Sequence, residues 1–401
     1  MKNPGLSPAK AGHESDHRLA AAIVEAMLAA TGAGLLLLAW LINRAWLDRH
    51  VLPHMFLTRD YQILWWAIER GAAFALGLAL LFLVRPWAAR QVRRGKGREL
   101  FTLCALGTIA IALSLLVSEL ALRTISWRKI DRWAASEEPL RRPDARLGWA
   151  NVPARTGVEI FDGRRIVYHF DAGGHRIAAP DRPIDYARPS ILFAGESIMI
   201  GFRLNWPDTI AGRIETATGL QSANLAVNGY STDQAFMRLA ADLPHFAKPV
   251  AVVALFAPAL MERNLDRDRP HLDAGLRWYP GQNHWRLRRL AKNVALYHSR
   301  RRLDEGMKMT QAVLREIVLA ARARHAAALI LVPTFVPEQP AERAIRREVL
   351  DDAGLPYVIV PLDPHWRMPH DGHPDARANL AMARAIVVGL KRQRPDIFTG
   401  R

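Results

Sequence analysis

Two short segments of this sequence hold residues of the types that acyl chemistry needs. The first is Ile191-Leu192-Phe193-Ala194-Gly195-Glu196-Ser197-Ile198-Met199-Ile200-Gly201. An apolar run ends in Gly-Glu-Ser and a second apolar stretch follows. That predicts a buried strand, a tight turn carrying the Ser197 hydroxyl, and a helix start. A serine there stands at the carboxyl end of a strand, where open α/β sheets put their ligand sites. It is not a Gly-x-Ser-x-Gly elbow, because position 199 is methionine. The second segment is His370-Asp371-Gly372-His373-Pro374-Asp375, just ahead of a helical pattern. A serine hydroxyl is a poor nucleophile until a base takes its proton, and the base needs a third group to fix its tautomer. His373 and Asp371 offer a base and a carboxylate from one loop. Read alone, the loop is equally a polar lead-in with a proline at a helix start.

In this order and separation the two segments resemble the SGNH/GDSL hydrolase family, in a membrane-anchored form found in the bacterial envelope. The family's second block is an asparagine and then a glycine that faces the nucleophile. Ser222-Ala223-Asn224-Leu225-Ala226-Val227-Asn228-Gly229 is similar, with Gly229 the counterpart. The segment from Leu147-Gly148-Trp149 through Gly173-Gly174-His175-Arg176 looks like the lead-in of envelope members. The resemblance implies that Ser197 is the nucleophile, His373 the base and Asp371 its orienting acid. It implies an oxyanion hole built from the N–H groups of Ser197 and Gly229, with neither metal nor cofactor. Three departures stand out. Gly-Glu-Ser replaces Gly-Asp-Ser. Ala257-Pro258-Ala259 stands where the family has an asparagine side chain, and Asn264 is out of register for that place. The acid lies two residues before His373 rather than three, where His370 stands instead.

The elements that must position these groups are read from periodicity. Strand candidates are 191–193, 224–227, 250–256, 328–332 and 357–360. Helical patterns occur near 208–218, 233–243, 307–326, 341–353 and 375–391. Their alternation predicts an α/β fold with a parallel sheet between two helical layers, in the flavodoxin-like order of the resembled family. That three-layer domain is expected over 147–401, interrupted by a basic, aromatic insertion at about 263–304. The insertion carries Trp278, Tyr279, Trp285 and many arginines. It reads either as a lid that grips an anionic glycan or as a surface segment on lipid or on the domain.

The chain has 401 residues, is 50% hydrophobic and carries a formal charge of +17, so disorder is excluded. Its single cysteine, Cys104, cannot form an intramolecular disulfide. No Cys/His cluster has zinc spacing. The N-terminal region, 1–123, differs in kind. Apolar spans at about 19–42, 63–84 and 100–122 are each long enough to cross a hydrocarbon core as a helix. A cleaved signal peptide is not expected, because two more spans follow the first. The break before the third span holds Arg85, Arg90, Arg93, Arg94, Lys96 and Arg98 against Glu99, and so reads as cytoplasmic. The N-terminus is then inside, and everything beyond about 123 is periplasmic or otherwise extracytoplasmic, anchored in the bacterial inner membrane. Glu25, Glu69 and Arg70 are expected near span ends or facing another helix. The stretch 124–146, with Trp127, Arg128, Lys129, Arg132 and Trp133, reads as a juxtamembrane connector.

The expectation is therefore a membrane-anchored serine esterase that removes acyl groups from an envelope polysaccharide or glycoconjugate. Alternatives are an O-acyltransferase using the same site, or a catalytically weak glycan-binding partner in a synthesis or export complex. Partners expected are the lipid bilayer, a glycan and membrane proteins. Nucleic acid is not expected of a domain outside the cytoplasm.

Overall fold

The computed structural model describes residues 8–52, 59–124, 141–282, 285–288 and 298–398. The chain divides into two compact units. The first holds the N-terminal helices together with residues 285–288 of the insertion, and the second holds the sheet.

In the first unit the helices are α1 (Pro8–Leu41), α2 (Arg44–His50), α3 (Arg59–Ala79), α4 (Arg85–Gln91) and α5 (Gly97–Thr124). Among the described residues three stretches are long and apolar enough to cross a membrane, namely Arg18–Leu41, Arg59–Glu99 and Cys104–Arg123. Leu37, Trp40, Phe82, Leu83, Ile111 and Val117 are exposed along them, as lipid-facing side chains are. The charged break before the third span is itself helical. It runs through α4 and a π-helical segment, Val92–Lys96, with a kink at Gly95, whose φ of 78° suits glycine. α1 and α3 approach closely where Gly32 meets Gly77. A Cβ on Gly77 would lie 2.9 Å from the Gly32 carbonyl oxygen. Glu25 faces Arg93, at 2.6 Å, and Arg70 donates to the Ala39 carbonyl at 2.9 Å. Glu119 near the end of α5 accepts the N–H groups of Arg286 and Leu287.

The second unit is built on an eight-stranded sheet. Its strands are β3 (Thr156–Phe161), β4 (Arg164–Phe170), β5 (Arg176–Ile177), β6 (Ser190–Ala194), β7 (Gln221–Asn224), β8 (Pro249–Leu255), β11 (Ala327–Thr334) and β12 (Tyr357–Pro361). The order across the sheet is β12-β11-β8-β6-β7-β5-β4-β3. The five strands from β12 to β7 are parallel, and in chain order they give 2-1-3-4-5, the flavodoxin-like arrangement. β5, β4 and β3 extend the sheet antiparallel beyond β7. Two small hairpins stand apart, one of β1 (Arg141–Asp144) with β2 (Gly148–Asn151), the other of β9 (His271–Leu272) with β10 (Trp278–Tyr279).

Alternation along the strands explains the two cores. Leu192, Ala194, Val252, Ala254, Ile330 and Val332 belong to one buried cluster, and Ile191, Phe193, Ala251, Val253, Leu329 and Leu331 to the other. The first is covered by α8 (Thr232–Asp242) and α10 (Arg300–Ala323), the second by α7 (Ile210–Thr218) and α12 (Ala376–Gln393). Among the described residues this unit also has the short helices α6 (Ser197–Ile200), α9 (Met261–Asn264) and α11 (Pro340–Arg346).

Several boundaries differ from expectation. The strand expected at 224–227 ends at Asn224, because Leu225 to Val227 leave the ladder. The Leu225 and Val227 N–H groups still donate to the Phe193 and Gly195 carbonyls. Residues 141–146, placed in the connector, belong to the first hairpin and its turn. The connector residues Trp127 to Trp133 lie outside the described residues. Arg263 sits in α9, and Arg300, Arg301 and Arg302 form the first turn of α10, capped by the Ser299 hydroxyl.

Candidate active site

β6 delivers the chain to Gly195, where a side chain would collide with Met199: a Cβ there would lie 2.7 Å from the Met199 Cβ. Glu196 then caps α6 with its own carboxylate, accepting the N–H groups of Ser197 at 2.7 Å and Ile198 at 3.1 Å. The helix closes at Gly201, whose φ of 75° is left-handed. Beneath this closure lies Arg176, fully buried. Its guanidinium donates to the carbonyls of Ile200 and Gly201, both at 2.7 Å, and to that of Leu204, and it stacks on Tyr168. A cation at the carboxyl end of α6 satisfies carbonyls that the short helix leaves open.

The second segment is a tight loop entering α12. Arg367 bridges to Pro374, the Met368 N–H donates to the His373 carbonyl at 2.7 Å, and the Asp375 side chain caps α12. The loop turns through His370 (φ 60°) and Gly372 (φ 81°). It holds Asp371 and His373 against the turn after β6. His373 Nε2 lies 2.9 Å from the Ser197 hydroxyl oxygen, and His373 Nδ1 meets Asp371 Oδ1. The acid two residues before the histidine is therefore the one in contact. His370, at the earlier place, is exposed. Residues 176 positions apart in sequence meet at the carboxyl end of β6, beside the switch point between β6 and β8.

Two arginines complete this network. Neither was expected, since an ion pair between distant segments leaves no local pattern in a sequence. Arg203 pairs through Nη1 with Asp371 Oδ2 and through Nε with Glu159 at 3.0 Å, stacking on Phe161. Its N–H donates to the Tyr168 hydroxyl at 2.7 Å. The antiparallel extension of the sheet thus supports the carboxylate that contacts His373. Arg263 Nη1 lies 2.6 Å from Glu196 Oε2, the oxygen that also accepts from the Ser197 hydroxyl.

Burial sets the electrostatics. It is the largest influence on His373 and pushes the imidazole down to about 4. Glu196 opposes the shift, and Arg263, Arg203 and Arg367 add to it. His373 is therefore neutral near pH 7, the form that accepts a proton. Burial raises the Glu196 carboxyl, but Arg263, the Ser197 hydroxyl and His373 outweigh it and hold the group below the ordinary carboxylate range. The site therefore holds an ionised Glu196 beside a neutral base.

Gly229 lies in the loop after β7 with φ of 85°. Its carbonyl accepts from Arg269 at 2.8 Å, and the Asn228 carbonyl accepts from the Trp149 indole at 2.9 Å. The Asn228–Gly229 peptide is planar, so pinning its carbonyl fixes the opposite direction of the Gly229 N–H. The Ser197 N–H, expected in the oxyanion hole, is taken by Glu196. After β8 the chain runs Ala257-Pro258-Ala259, as in the sequence, with no amide. Asn264 is a structural residue, bonded to Thr232 and to Thr310 at 2.9 Å.

No family model matches the sequence, and no curated protein matches it. Solved structures do, and those matched include G-D-S-L lipolytic proteins, esterases and an acyltransferase. One is a protein from Desulfitobacterium hafniense assigned to the G-D-S-L lipolytic family, with a TM-score of 0.34 and 11% identity over 50% of this chain and 98% of that one. An acetyl xylan esterase from Butyrivibrio proteoclasticus has a TM-score of 0.34 and 10% identity over 53% of this chain and 66% of that one. A salicylyl-acyltransferase from a tetracycline biosynthetic pathway has a TM-score of 0.30 and 14% identity over 52% of this chain and 56% of that one.

Proposed function

We propose that this chain is a membrane-anchored serine acyl hydrolase of the SGNH type. It removes acyl groups from an envelope polysaccharide or other glycoconjugate. The observation that carries the reading is the unbroken contact from Asp371 through His373 to the Ser197 hydroxyl. Ser197 attacks the ester carbonyl as its proton passes to His373 Nε2. Asp371, bonded to Nδ1, fixes the tautomer and stabilises the imidazolium that forms. His373 then protonates the departing alkoxide, and water repeats the sequence to release the acid. Donors for the developing oxyanion include the Gly229 N–H. The substrate class follows from placement. The Lys and Arg bias of the breaks supports an orientation with this domain outside the cytoplasm, where acylated glycans are built.

A second reading has one observation in its favour. Ser197 is only 1% exposed, and a site that keeps water from the acyl-enzyme favours transfer to a sugar hydroxyl. Purified full-length chain in detergent, given an aryl acetate with and without an acceptor oligosaccharide, tests both. Hydrolysis that Ser197→Ala and His373→Ala each abolish supports the esterase, and acetylated acceptor supports the transferase. A folded chain that does neither overturns the enzyme reading and leaves a glycan-binding partner.

A further inference from the structure

The loop after β8 offers no side-chain amide to a developing oxyanion, yet a strong donor reaches the site from the same connection. α9 follows that loop directly and carries Arg263. Glu196 Oε2 accepts from the Ser197 N–H at 2.7 Å and from Arg263 Nη1 at 2.6 Å, and it also accepts the Ser197 hydroxyl. An anionic oxygen thus already rests beside the nucleophile, held by the nucleophile's own N–H and a guanidinium. Those donor types and lengths are what the oxyanion of a tetrahedral intermediate requires. The side chains of Arg263 and Glu196 are 10% and 8% exposed, so charge developing there is poorly screened. Beside the pair lies a small cavity lined by Gly195, Tyr230, Thr232, Ala257 and Leu260.

We infer that Arg263 is an oxyanion donor of this site, standing in for the absent amide. The Glu196 carboxylate is its resting occupant, displaced when an acyl carbonyl arrives. The inference rests on the serine acyl-transfer reading above. As the Ser197 oxygen bonds to the carbonyl carbon, its proton goes to His373 and the C=O π pair moves onto the carbonyl oxygen. The Ser197 N–H and Arg263 then meet that negative charge. When the double bond re-forms, the bond to the leaving oxygen breaks and that oxygen takes the proton from His373.

The test uses the full chain in detergent with 4-nitrophenyl acetate. Arg263→Gln should lower kcat about 100-fold with KM little changed, the scale of a lost oxyanion donor. Arg263→Lys should fall between. Glu196→Gln should raise kcat, because a neutral amide competes less well for the same donors. Losing Arg263 alone strands a buried carboxylate and risks the fold, so the Glu196→Gln, Arg263→Gln double variant is measured too. It should stay as slow as Arg263→Gln. A double variant restored to wild-type turnover, equal losses in the two single variants, or an Arg263→Gln chain as fast as wild type would each overturn the inference. These outcomes differ from failure of the underlying reading, in which wild type neither turns over the ester nor reacts at Ser197 with a fluorophosphonate.

Discussion

In the proposed mechanism His373 sets the pH behaviour of the site. Its imidazole is held down to about 4, chiefly by burial, so the base is already unprotonated across the neutral range. The kcat/KM of the free enzyme should fall only as pH drops toward that value, well below the ordinary histidine pKa of about 6.5. Arg203 is one of the cations that hold the imidazole down, and it pairs with Asp371. Arg203→Gln should therefore move the acid limb of the pH profile upward and lower kcat by ~10-fold, through a less well oriented acid. A profile that stays in place or shifts downward contradicts this role for Arg203.

At the level of elements, Arg176 and the short helix α6 form one device. Four backbone carbonyls converge on one buried guanidinium, those of Ile200, Gly201 and Leu204 at and just beyond the carboxyl end of α6 and that of Val167 in β4. Arg176→Met removes that charge but leaves the carbonyls without partners. We expect a loss of about 3 kcal/mol or more, read as a lower Tm, with slower reaction at Ser197 in the protein that still folds. An unchanged Tm would show that water or neighbouring N–H groups replace the arginine. Most of the parallel core was legible because β6, β8, β11 and β12 are continuous apolar runs bounded by turns, with Ser197 just past the end of β6, whereas β7 is polar, Gln221–Asn224, and was read three residues late. The antiparallel strands β3 and β4 were not read as such. β3 is the edge strand and carries Glu159 among its apolar residues, and two arginines open β4, which leaves Ile166, Tyr168 and Phe170 as a short alternation. Arg203 and Arg263 escaped for a different reason. Each is an ordinary surface-type residue in sequence, and only the fold brings it to a carboxylate. The start of α10 was hidden by its three arginines, which look like part of a basic insertion. In the structure Arg300 and Arg301 pair one turn ahead with Asp304 and Glu305.

For the whole molecule, two histidines pull stability in opposite directions with pH. His373 is depressed in the folded state, so between about 6.5 and 4 the unfolded chain binds a proton that the folded chain refuses. Stability then falls as pH falls through that window, by on the order of 3 kcal/mol. His175 is fully buried, with Asp171 and Asp242 each 3.1 Å from a ring nitrogen. Burial alone would lower its pKa, but the two carboxylates raise it above the ordinary value. Its contribution is full below about 6.5 and is lost as pH rises through the raised value. His175→Gln should therefore cost Tm mainly below pH 6.5, and a loss confined to alkaline pH would contradict the assignment. For the membrane region, an alkaline phosphatase fused after Arg401 should be active and one fused at Gly95 inactive. The reverse pattern overturns the proposed orientation. Gly32→Leu should separate α1 from α3, because its Cβ alone would lie 3.0 Å from the Gly77 carbonyl oxygen.

The central claim is that Ser197 is a nucleophile activated by His373. Its most direct test is covalent. Full-length protein is treated with a fluorophosphonate, and the adduct is mapped by peptide mass spectrometry. One phosphonylated serine is expected, in the peptide bearing Gly195-Glu196-Ser197. The adduct should be lost in Ser197→Ala and formed far more slowly in His373→Ala. A folded wild-type chain that stays unmodified, or an adduct that persists in Ser197→Ala, would contradict it.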